Sequence, residues 1–145
     1  MEGLNIRRLG PADAEAIERI TRESPQAEAW DPAGYLGLPA WVAEGSGGVV
    51  GFLAVRVVAE EMEVLNLAVE PESRRQGVGG ALLRAALVFG ESAGATRISL
   101  EVRESNEAAR RFYEGQGFRV VGRRRCYYRQ PEEDALLMAR PHAVR

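Results

Sequence analysis

The sequence of 145 residues contains no lysine, one cysteine and one histidine, and each shortage removes a class of chemistry. All 19 basic residues are arginines, which excludes Schiff-base catalysis and a lysine-activated nucleophile. Cys126 cannot form a disulfide within the chain, and His142 lies three residues before the last residue. We therefore expect no Ser-His-Asp triad, no Cys-His dyad and no metal site, and any general base must be Asp, Glu, Tyr or Cys.

Long apolar segments are also absent. No run approaches the ~20 residues that span a bilayer, and the first residues show no signal-peptide pattern. Hydrophobic residues make up 46% of the chain and charged residues 28%, as in ordinary folded domains. We therefore expect a single domain over residues 1–145, soluble, cytoplasmic and monomeric, with no membrane partner.

The net charge of −2 is unevenly distributed along the chain. Residues 1–61 hold ten acids and five arginines, whereas residues 97–145 hold seven acids and eleven arginines. An anionic ligand on the second half and a cationic one on the first half would fit this pattern, and so would a mixed solvated surface. Nucleic-acid binders are usually basic overall with a concentrated stripe, so we expect no nucleic-acid partner.

The first half of the chain has the pattern of strands with one helix. A short strand around Leu4–Leu9 precedes a helix whose apolar face is Ala14, Ile17 and Ile20. Residues 24–39 are rich in proline and large apolar groups, which favours an ordered, partly helical loop. Runs 41–44, 49–58 and 62–69 then predict an antiparallel meander, with Gly45–Gly48 as a hairpin turn.

The second half has the pattern of a β-α-β crossover. A glycine-rich turn at 74–80 leads into a helix, and the strand 97–102 follows, which pairs in parallel with the strand before the turn. A helix from about Glu107 to Gln116, capped by Ser105 or Asn106, precedes strands 118–123 and 135–139. The fold class is therefore α/β, of the α+β type, with a mixed central sheet of six to seven strands and flanking helices.

The glycine-rich turn is the strongest chemical feature. Gly77 and Gly79 let the backbone approach a ligand closely, and the first N–H groups of the new helix have no partner in the helix, which suits a phosphate. The P-loop needs a lysine, and a dinucleotide fingerprint needs a different glycine spacing. The pattern is Arg-x-x-Gly-x-Gly from Arg74, and a purely structural turn is an even alternative.

The sequence resembles the GNAT superfamily of N-acetyltransferases, and more narrowly the bacterial ribosomal-protein-alanine N-acetyltransferases of the RimI type. The matching segments lie within residues 62–140. They are Leu65–Pro71, Arg75–Gly79, Leu100–Asn106, Phe112–Glu114, Gly117–Phe118, Arg124–Tyr128 and Glu133–Ala135. The resemblance implies a GNAT fold and acetyl-coenzyme A as the co-substrate.

Roles follow from the resemblance position by position. It implies that Glu101 is the general base for the acceptor amine and Tyr113 the general acid for the departing thiolate. The end of one strand would align the acetyl group, the glycine-rich turn would hold the pyrophosphate, and Asn106 would bind the pantetheine arm. The implied cofactor-binding residues are Leu67, Ala68, Val69, Arg74, Arg75, Gln76, Gly77, Val78, Gly79, Gly80 and Asn106.

Each of these residues also has a purely structural interpretation. Glu101 alternates with apolar neighbours, as on the solvent face of a strand. Tyr113 has the spacing of a core aromatic residue, and Asn106 that of a helix N-cap. Arg74 and Arg75 are solvated charges by default. Cys126 is expected to be an inert thiol.

The acceptor site is less sharply defined. The resemblance implies an acceptor N-terminus between a loop carrying Trp30 and Tyr35 and a hairpin carrying Tyr127 and Tyr128, and core packing is an equal alternative for Trp30. The chain departs from the subfamily pattern at Ala29, where proline is usual, at Cys126, where asparagine is usual, and in a short loop before Glu133.

The leading hypothesis is acetylation of a protein N-terminus, most specifically the alanine of small-subunit ribosomal protein eighteen, by direct transfer. An α-amine with a pKa of ~8 costs roughly 1 kcal/mol to deprotonate near neutral pH, against about 4 kcal/mol for a lysine amine. A carboxylate base suffices for the first. A GNAT enzyme for a small-molecule amine and a non-catalytic acetyl-coenzyme A sensor are the alternatives.

Overall fold

A seven-stranded mixed sheet organises the computed structural model, which describes residues 3–24, 32–129 and 131–141. The strand order is β1-β2-β3-β4-β5-β7-β6. The strands are β1 (Asn5–Arg8), β2 (Ala40–Gly45), β3 (Gly48–Val58), β4 (Glu61–Val69), β5 (Arg97–Arg103), β6 (Arg119–Tyr128) and β7 (Glu133–Pro141). The helices are α1 (Ala14–Arg22), α2 (Val78–Ser92) and α3 (Glu107–Gly115), with short 3-10 turns at Pro11–Asp13, Pro32–Gly37 and Pro71–Ser73.

Strands β1 to β4 form the predicted antiparallel meander. Neighbouring strands pair antiparallel throughout, and β2 and β3 are joined at the predicted glycine-rich hairpin. The central strand β3 is buried along most of its length because helices cover both faces of the sheet at this point. One apolar cluster lies on the α2 face, and a second, with Ile17, Ile20 and Phe52, lies on the α1 face.

The predicted crossover is also confirmed, because β4 and β5 pair in parallel and α2 lies between them in sequence. That pairing covers only three residues of each strand, Glu61–Glu63 with Arg97–Ser99. Beyond it β4 continues to Val69 and β5 to Arg103 without pairing to each other. The two strands therefore diverge and leave backbone edges open on both sides of a gap.

The two last strands are longer than the sequence predicts. β6 extends to Tyr128 rather than Arg123, and β7 spans Glu133–Pro141 rather than 135–139. β6 is an edge strand that pairs only with β7, and most of its residues are exposed. Apolar alternation therefore does not mark it, and its arginines suit an edge exposed to water. No helix in the described ranges is long and apolar enough to span a bilayer.

A buried carboxylate connects β1 to the start of α1. Arg7 donates to both oxygens of Asp13, at 2.9 and 2.8 Å, and the Gly10 N–H donates at 2.8 Å. Asp13 is 4% exposed. The hydrogen bond from Arg7, followed by that from Gly10, holds the pKa of Asp13 below its ordinary value.

Asp13→Asn is expected to lower the free energy of unfolding at pH 7 by about 1.5–3 kcal/mol, since it removes charge-assisted hydrogen bonds in a buried position. The pKa of Asp13 is lower in the folded than in the unfolded chain. The stabilisation that ionised Asp13 gives the folded chain is therefore complete above its pKa in the unfolded chain, ~4, and is lost as the pH falls below that value. Urea unfolding at pH 7 and pH 3 measures both effects. Glu15→Gln, an exposed neighbour, is the control. If the unfolding free energies of Asp13→Asn and wild type differ by the same amount at both pH values, the expectation is contradicted.

Candidate active site

The gap between the diverging strands is the mouth of a cleft of about 1220 Å³. One wall is the end of β4 with the turn and first residues of α2, and the other is the end of β5 with α3. The tip of the β6–β7 hairpin closes one end through Tyr127 and Tyr128. Among the predicted site residues, the cleft is lined by Leu67, Ala68, Val69, Arg74, Arg75, Gly77, Val78, Gly79, Gly80, Glu101, Asn106, Tyr113, Tyr127 and Tyr128.

The turn before α2 has a backbone built for an anion. Arg75 and Gly77 both have positive φ angles, 63° and 82°, a left-handed conformation that is rare outside glycine. The first hydrogen bond of the helix runs from the Ala81 N–H to the Gly77 carbonyl, at 3.0 Å. The three preceding N–H groups, of residues 78–80, have no acceptor within the helix, and the positive end of its dipole lies at the cleft.

Gly79 is needed for the approach of α3 to this turn. A Cβ at Gly79 would lie 3.2 Å from the ring of Phe112 on α3, tighter than an ordinary van der Waals contact. Phe112 in turn packs edge-on against Tyr113, with ring centroids 5.0 Å apart. The small residue therefore lets the two walls come close at the base of the cleft.

The two side chains flanking the turn are occupied by the protein itself. Arg74 donates from Nε to the Val69 carbonyl at 2.9 Å and from Nη2 to the Ser24 hydroxyl at 3.2 Å. Gln76 donates to the Glu72 carbonyl at 3.2 Å and does not line the cleft. Both side chains brace the turn, and a side-chain role for Gln76 toward a ligand in the cleft is not supported. The expected role of Arg74 has to be shared with its bracing of β4.

Sequence reasoning missed a second brace, centred on Glu70. This carboxylate accepts from Arg19 at 3.0 Å and from the buried Ser73 hydroxyl at 2.8 Å. Arg19 also donates to the Val49 carbonyl at 2.8 Å. The contacts join α1, β3 and the end of β4. Only the Glu70–Ser73 spacing is visible locally in the sequence, and the Arg19 contact spans 51 positions.

Glu101 projects from β5 into the cleft beside an arginine of the hairpin. Arg124 Nε lies 3.2 Å from Glu101 Oε1. The Arg124 guanidinium lies over the ring of Tyr127, 5.3 Å from the ring centre, which is within the distance of a cation–π contact. The Glu101 side chain is 18% exposed, against 54% for Arg124. Glu101 is therefore neither a free surface carboxylate nor a deeply buried one.

A similar arrangement surrounds Arg103, two residues after Glu101 on β5. The Arg103 guanidinium lies 4.1 Å from the centre of the Tyr128 ring and donates to Glu133 at 3.2 Å. Glu133 also accepts from the Ser105 N–H, and these hydrogen bonds, Ser105 first, lower its pKa. Arg123 bridges Glu104 and Asp134 in the same region. The hairpin tip is thus tied to β5 and to the loop before α3.

Tyr113 and Asn106 both have a structural role in addition to facing the cleft. Tyr113 is 7% exposed and packs against Phe118, with ring centroids 5.3 Å apart. Burial raises the pKa of its phenol, so the hydroxyl stays protonated and can donate a hydrogen bond. The Asn106 side chain accepts from the Ala109 N–H at 3.2 Å, which is the N-cap contact expected from the sequence.

The predicted acceptor residues divide into three groups. Tyr127 and Tyr128 line the cleft, while Trp30 lies outside the described residues. Tyr35 is fully buried in the cluster on the α1 face, where its hydroxyl accepts from Asn66 at 3.0 Å. The expectation that Tyr35 contacts an acceptor is therefore corrected: it supports Asn66, next to a β-bulge of β4, from below the cleft. Within the described ranges, no group of three or more His, Cys, Asp or Glu forms a metal site.

Comparisons with known proteins agree with this geometry. The model of the acetyltransferase (GNAT) family matches residues 10–118. The ribosomal protein bS18-alanine N-acetyltransferase of Escherichia coli (strain K12) is 41% identical over 98 residues, 66% of this chain and 66% of that relative. The chain thus matches just under two thirds of the length of such curated relatives.

Two solved structures extend the likeness over the whole chain. The ribosomal-protein-S18-alanine N-acetyltransferase from Escherichia coli has a TM-score of 0.82 and 32% identity, with 98% of this chain and 96% of that chain covered. A nourseothricin acetyltransferase has a TM-score of 0.82 and 27% identity, with 97% and 99% covered. The fold is shared by proteins whose names indicate different acceptors.

Cys126 is expected to react slowly with alkylating reagents, although it is exposed. Its thiol contacts Glu132 Oε1 at 3.2 Å, and this carboxylate raises the pKa of the thiol, which lowers the fraction of reactive thiolate. Glu132→Gln should therefore increase the iodoacetamide rate at pH 7.5 severalfold. Glu91→Gln, on α2, should leave the rate unchanged, and equal rates in all three proteins would contradict the expectation.

Proposed function

The chain belongs to the GNAT acetyltransferase family, and we propose that it transfers the acetyl group of acetyl-coenzyme A to the α-amine of a protein N-terminus. The proposed acceptor is the N-terminal alanine of ribosomal protein bS18. The relatives named for that reaction support it, as does the likeness over the whole chain to the Escherichia coli structure. The reaction is direct transfer between two substrates held in one cleft, which removes most of the entropic cost of bringing them together.

One observation carries the proposal: a single cleft has the N-terminus of α2 on one side, which suits an anion, and a carboxylate beside two tyrosines at the hairpin end. A long cofactor with a charged pyrophosphate and a neutral arm matches the first part. A cationic amine matches the second. The open edges of β4 and β5 supply backbone donors and acceptors for the amide groups of the pantetheine arm.

The residues divide the work by position. The backbone of the turn, residues 75–80, holds the pyrophosphate, and the backbone of residues 67–69 orients the acetyl group. Asn106 contacts the pantetheine arm while capping α3. Glu101 takes a proton from the acceptor's ammonium, and backbone N–H groups of β4 stabilise the negative charge that develops on the acetyl oxygen. Tyr113, kept neutral by burial, gives a proton to the departing sulfur.

A peptide with the first residues of the organism's own bS18 tests the proposal directly. Incubation with acetyl-coenzyme A should add one acetyl group to the free α-amine and release one thiol, as read by mass spectrometry and a thiol assay. A copy with a blocked N-terminus should gain nothing. Glu101→Gln should lower turnover at least about 100-fold, the usual contribution of a general base, with little change in coenzyme A affinity.

The controls separate the possible failures. Glu91→Gln, outside the cleft, should keep wild-type turnover. No acetylation of the peptide despite coenzyme A binding would overturn the acceptor, and a screen of small amines would then distinguish a small-molecule enzyme from a sensor. Full turnover in Glu101→Gln would remove Glu101 as the base.

Gly77→Ala tests the anion site. Gly77 and Gly94 both have φ of +82° and open space around an added Cβ, so alanine at either position costs about 1 kcal/mol of backbone strain. Only Gly77 shapes the N–H donors at the cleft. We expect Gly77→Ala to weaken coenzyme A binding by about tenfold or more, the loss of one charge-assisted hydrogen bond, and Gly94→Ala to leave it unchanged. Calorimetric titration measures both, and equal affinities would contradict the assignment.

A further inference from the structure

The side of the cleft formed by β5 and the β6–β7 hairpin contains two units of the same composition, each a glutamate, an arginine and a tyrosine. In the first, Arg124 contacts Glu101 and stacks on Tyr127. In the second, Arg103 contacts Glu133 and stacks on Tyr128. The difference between them is that the carboxylate of the first unit is the proposed base. As the base, the Glu101 carboxylate has to contact a different cation, the acceptor's ammonium.

We propose that Arg124 occupies, in the free protein, the cation position at Glu101 that the acceptor's ammonium takes in the complex. The inference rests on the proposed role of Glu101 and adds a residue that determines how acceptors gain access to it. Arg124 is a positioning residue: it acts on the acceptor through Glu101 and Tyr127 and takes no part in the transfer. One cation replaces another, so the Glu101 carboxylate has a cation in contact with it before and after binding.

The arginine of the first unit is the more exposed of the two. Arg124 reaches Glu101 through Nε at 3.2 Å, and its side chain is 54% exposed, so water can receive the guanidinium when it leaves. The Arg103 side chain is 25% exposed, and its partner Glu133, 14% exposed, is held additionally by the Ser105 N–H. The two carboxylates are about equally exposed, and the pairs differ in the arginine, which is 54% exposed in the first and 25% in the second. An ion pair with a half-exposed guanidinium contributes little to stability, so Arg124 can leave its partner at small cost.

The stack on Tyr127 gives the exchange its second consequence. While Arg124 bonds Glu101, its guanidinium lies over the Tyr127 ring, 5.3 Å from the ring centre. When Arg124 swings out, that ring face becomes available beside the Glu101 carboxylate. An acceptor with an apolar side chain next to its amine, such as an N-terminal alanine, would then find a cation site and an apolar surface together.

Kinetics of three variants test the exchange. Arg124→Gln removes the competing cation, so the KM for the bS18 peptide should fall about two- to fivefold, the range expected for releasing a half-exposed ion pair, while kcat changes less than twofold. Arg124→Lys restores a cation and should return KM toward wild type. Arg125→Gln, an exposed neighbour on β6, should change neither value. An unchanged or raised KM in Arg124→Gln would overturn the proposal.

A spectroscopic measurement follows the exchange in the wild-type protein, with two variants serving only as references. The Arg124 Nε–H signal in an ¹⁵N–¹H spectrum, assigned by its loss in Arg124→Lys, should shift when the peptide is added to the protein saturated with coenzyme A. The shift should approach the position found in Glu101→Gln. The N-acetylated peptide, which lacks the cation, should leave the signal in place. A signal that the free-amine peptide does not move would overturn the exchange.

Failure of the proposed acceptor gives a different result. If the peptide is not acetylated but a small amine is, that amine replaces the peptide in both measurements, and the exchange at Glu101 is supported or overturned on its own terms. If the protein acetylates no amine, the proposed function and the exchange are both overturned.

Discussion

The rest of the site depends on how little β4 and β5 pair. Three residues of each strand hold the sheet together, and then the strands separate while both continue. Each strand is held in place from its other side: β4 pairs with β3 along most of its length, and β5 pairs with β7 over seven residues. Because the outer pairings are complete, the sheet tolerates an opening in its middle. The cleft, the exposed backbone edges and the convergence of α2 and α3 all follow from that opening.

Two kinds of support keep the opening in shape. On the α2 side, the turn is braced by Arg74 on the Val69 carbonyl and by the Glu70 network. The left-handed, strained backbone of Arg75 is therefore held by contacts outside the turn. At the hairpin end, arginines hold the tyrosines against β5. The first support consists of hydrogen bonds to backbone carbonyls and to the partly buried Glu70 carboxylate. The second includes one half-exposed ion pair, so the acceptor end is the more adaptable of the two.

Sequence patterns predicted what is local. The hairpin and the glycine-rich turn depend on neighbouring residues, and the meander and the crossover follow from the order of strands and helices along the chain. The structure contains all four. The arginine-rich strand β6 was underestimated because an exposed edge strand needs no apolar alternation. Tyr35 was misplaced because the resemblance puts its loop beside the acceptor, whereas its buried hydroxyl accepts from Asn66, 31 positions away. The Arg124–Glu101 and Arg19–Glu70 contacts were invisible in the sequence, since charge pairing across strands leaves no periodic trace.

The absence of lysine gives these pairings a common chemistry. Apart from the one histidine, every basic side chain in the sequence is an arginine. A guanidinium keeps its positive charge throughout the range of pH in which proteins work. Arg124 therefore cannot release Glu101 by losing a proton, as a lysine could, and has to leave as a cation. Another cation that takes its place keeps the charge of the Glu101 carboxylate compensated. The same absence means that the chain carries no side-chain amine that could compete with the acceptor for the acetyl group, so the amine that reaches Glu101 has to come from the acceptor or from an N-terminus.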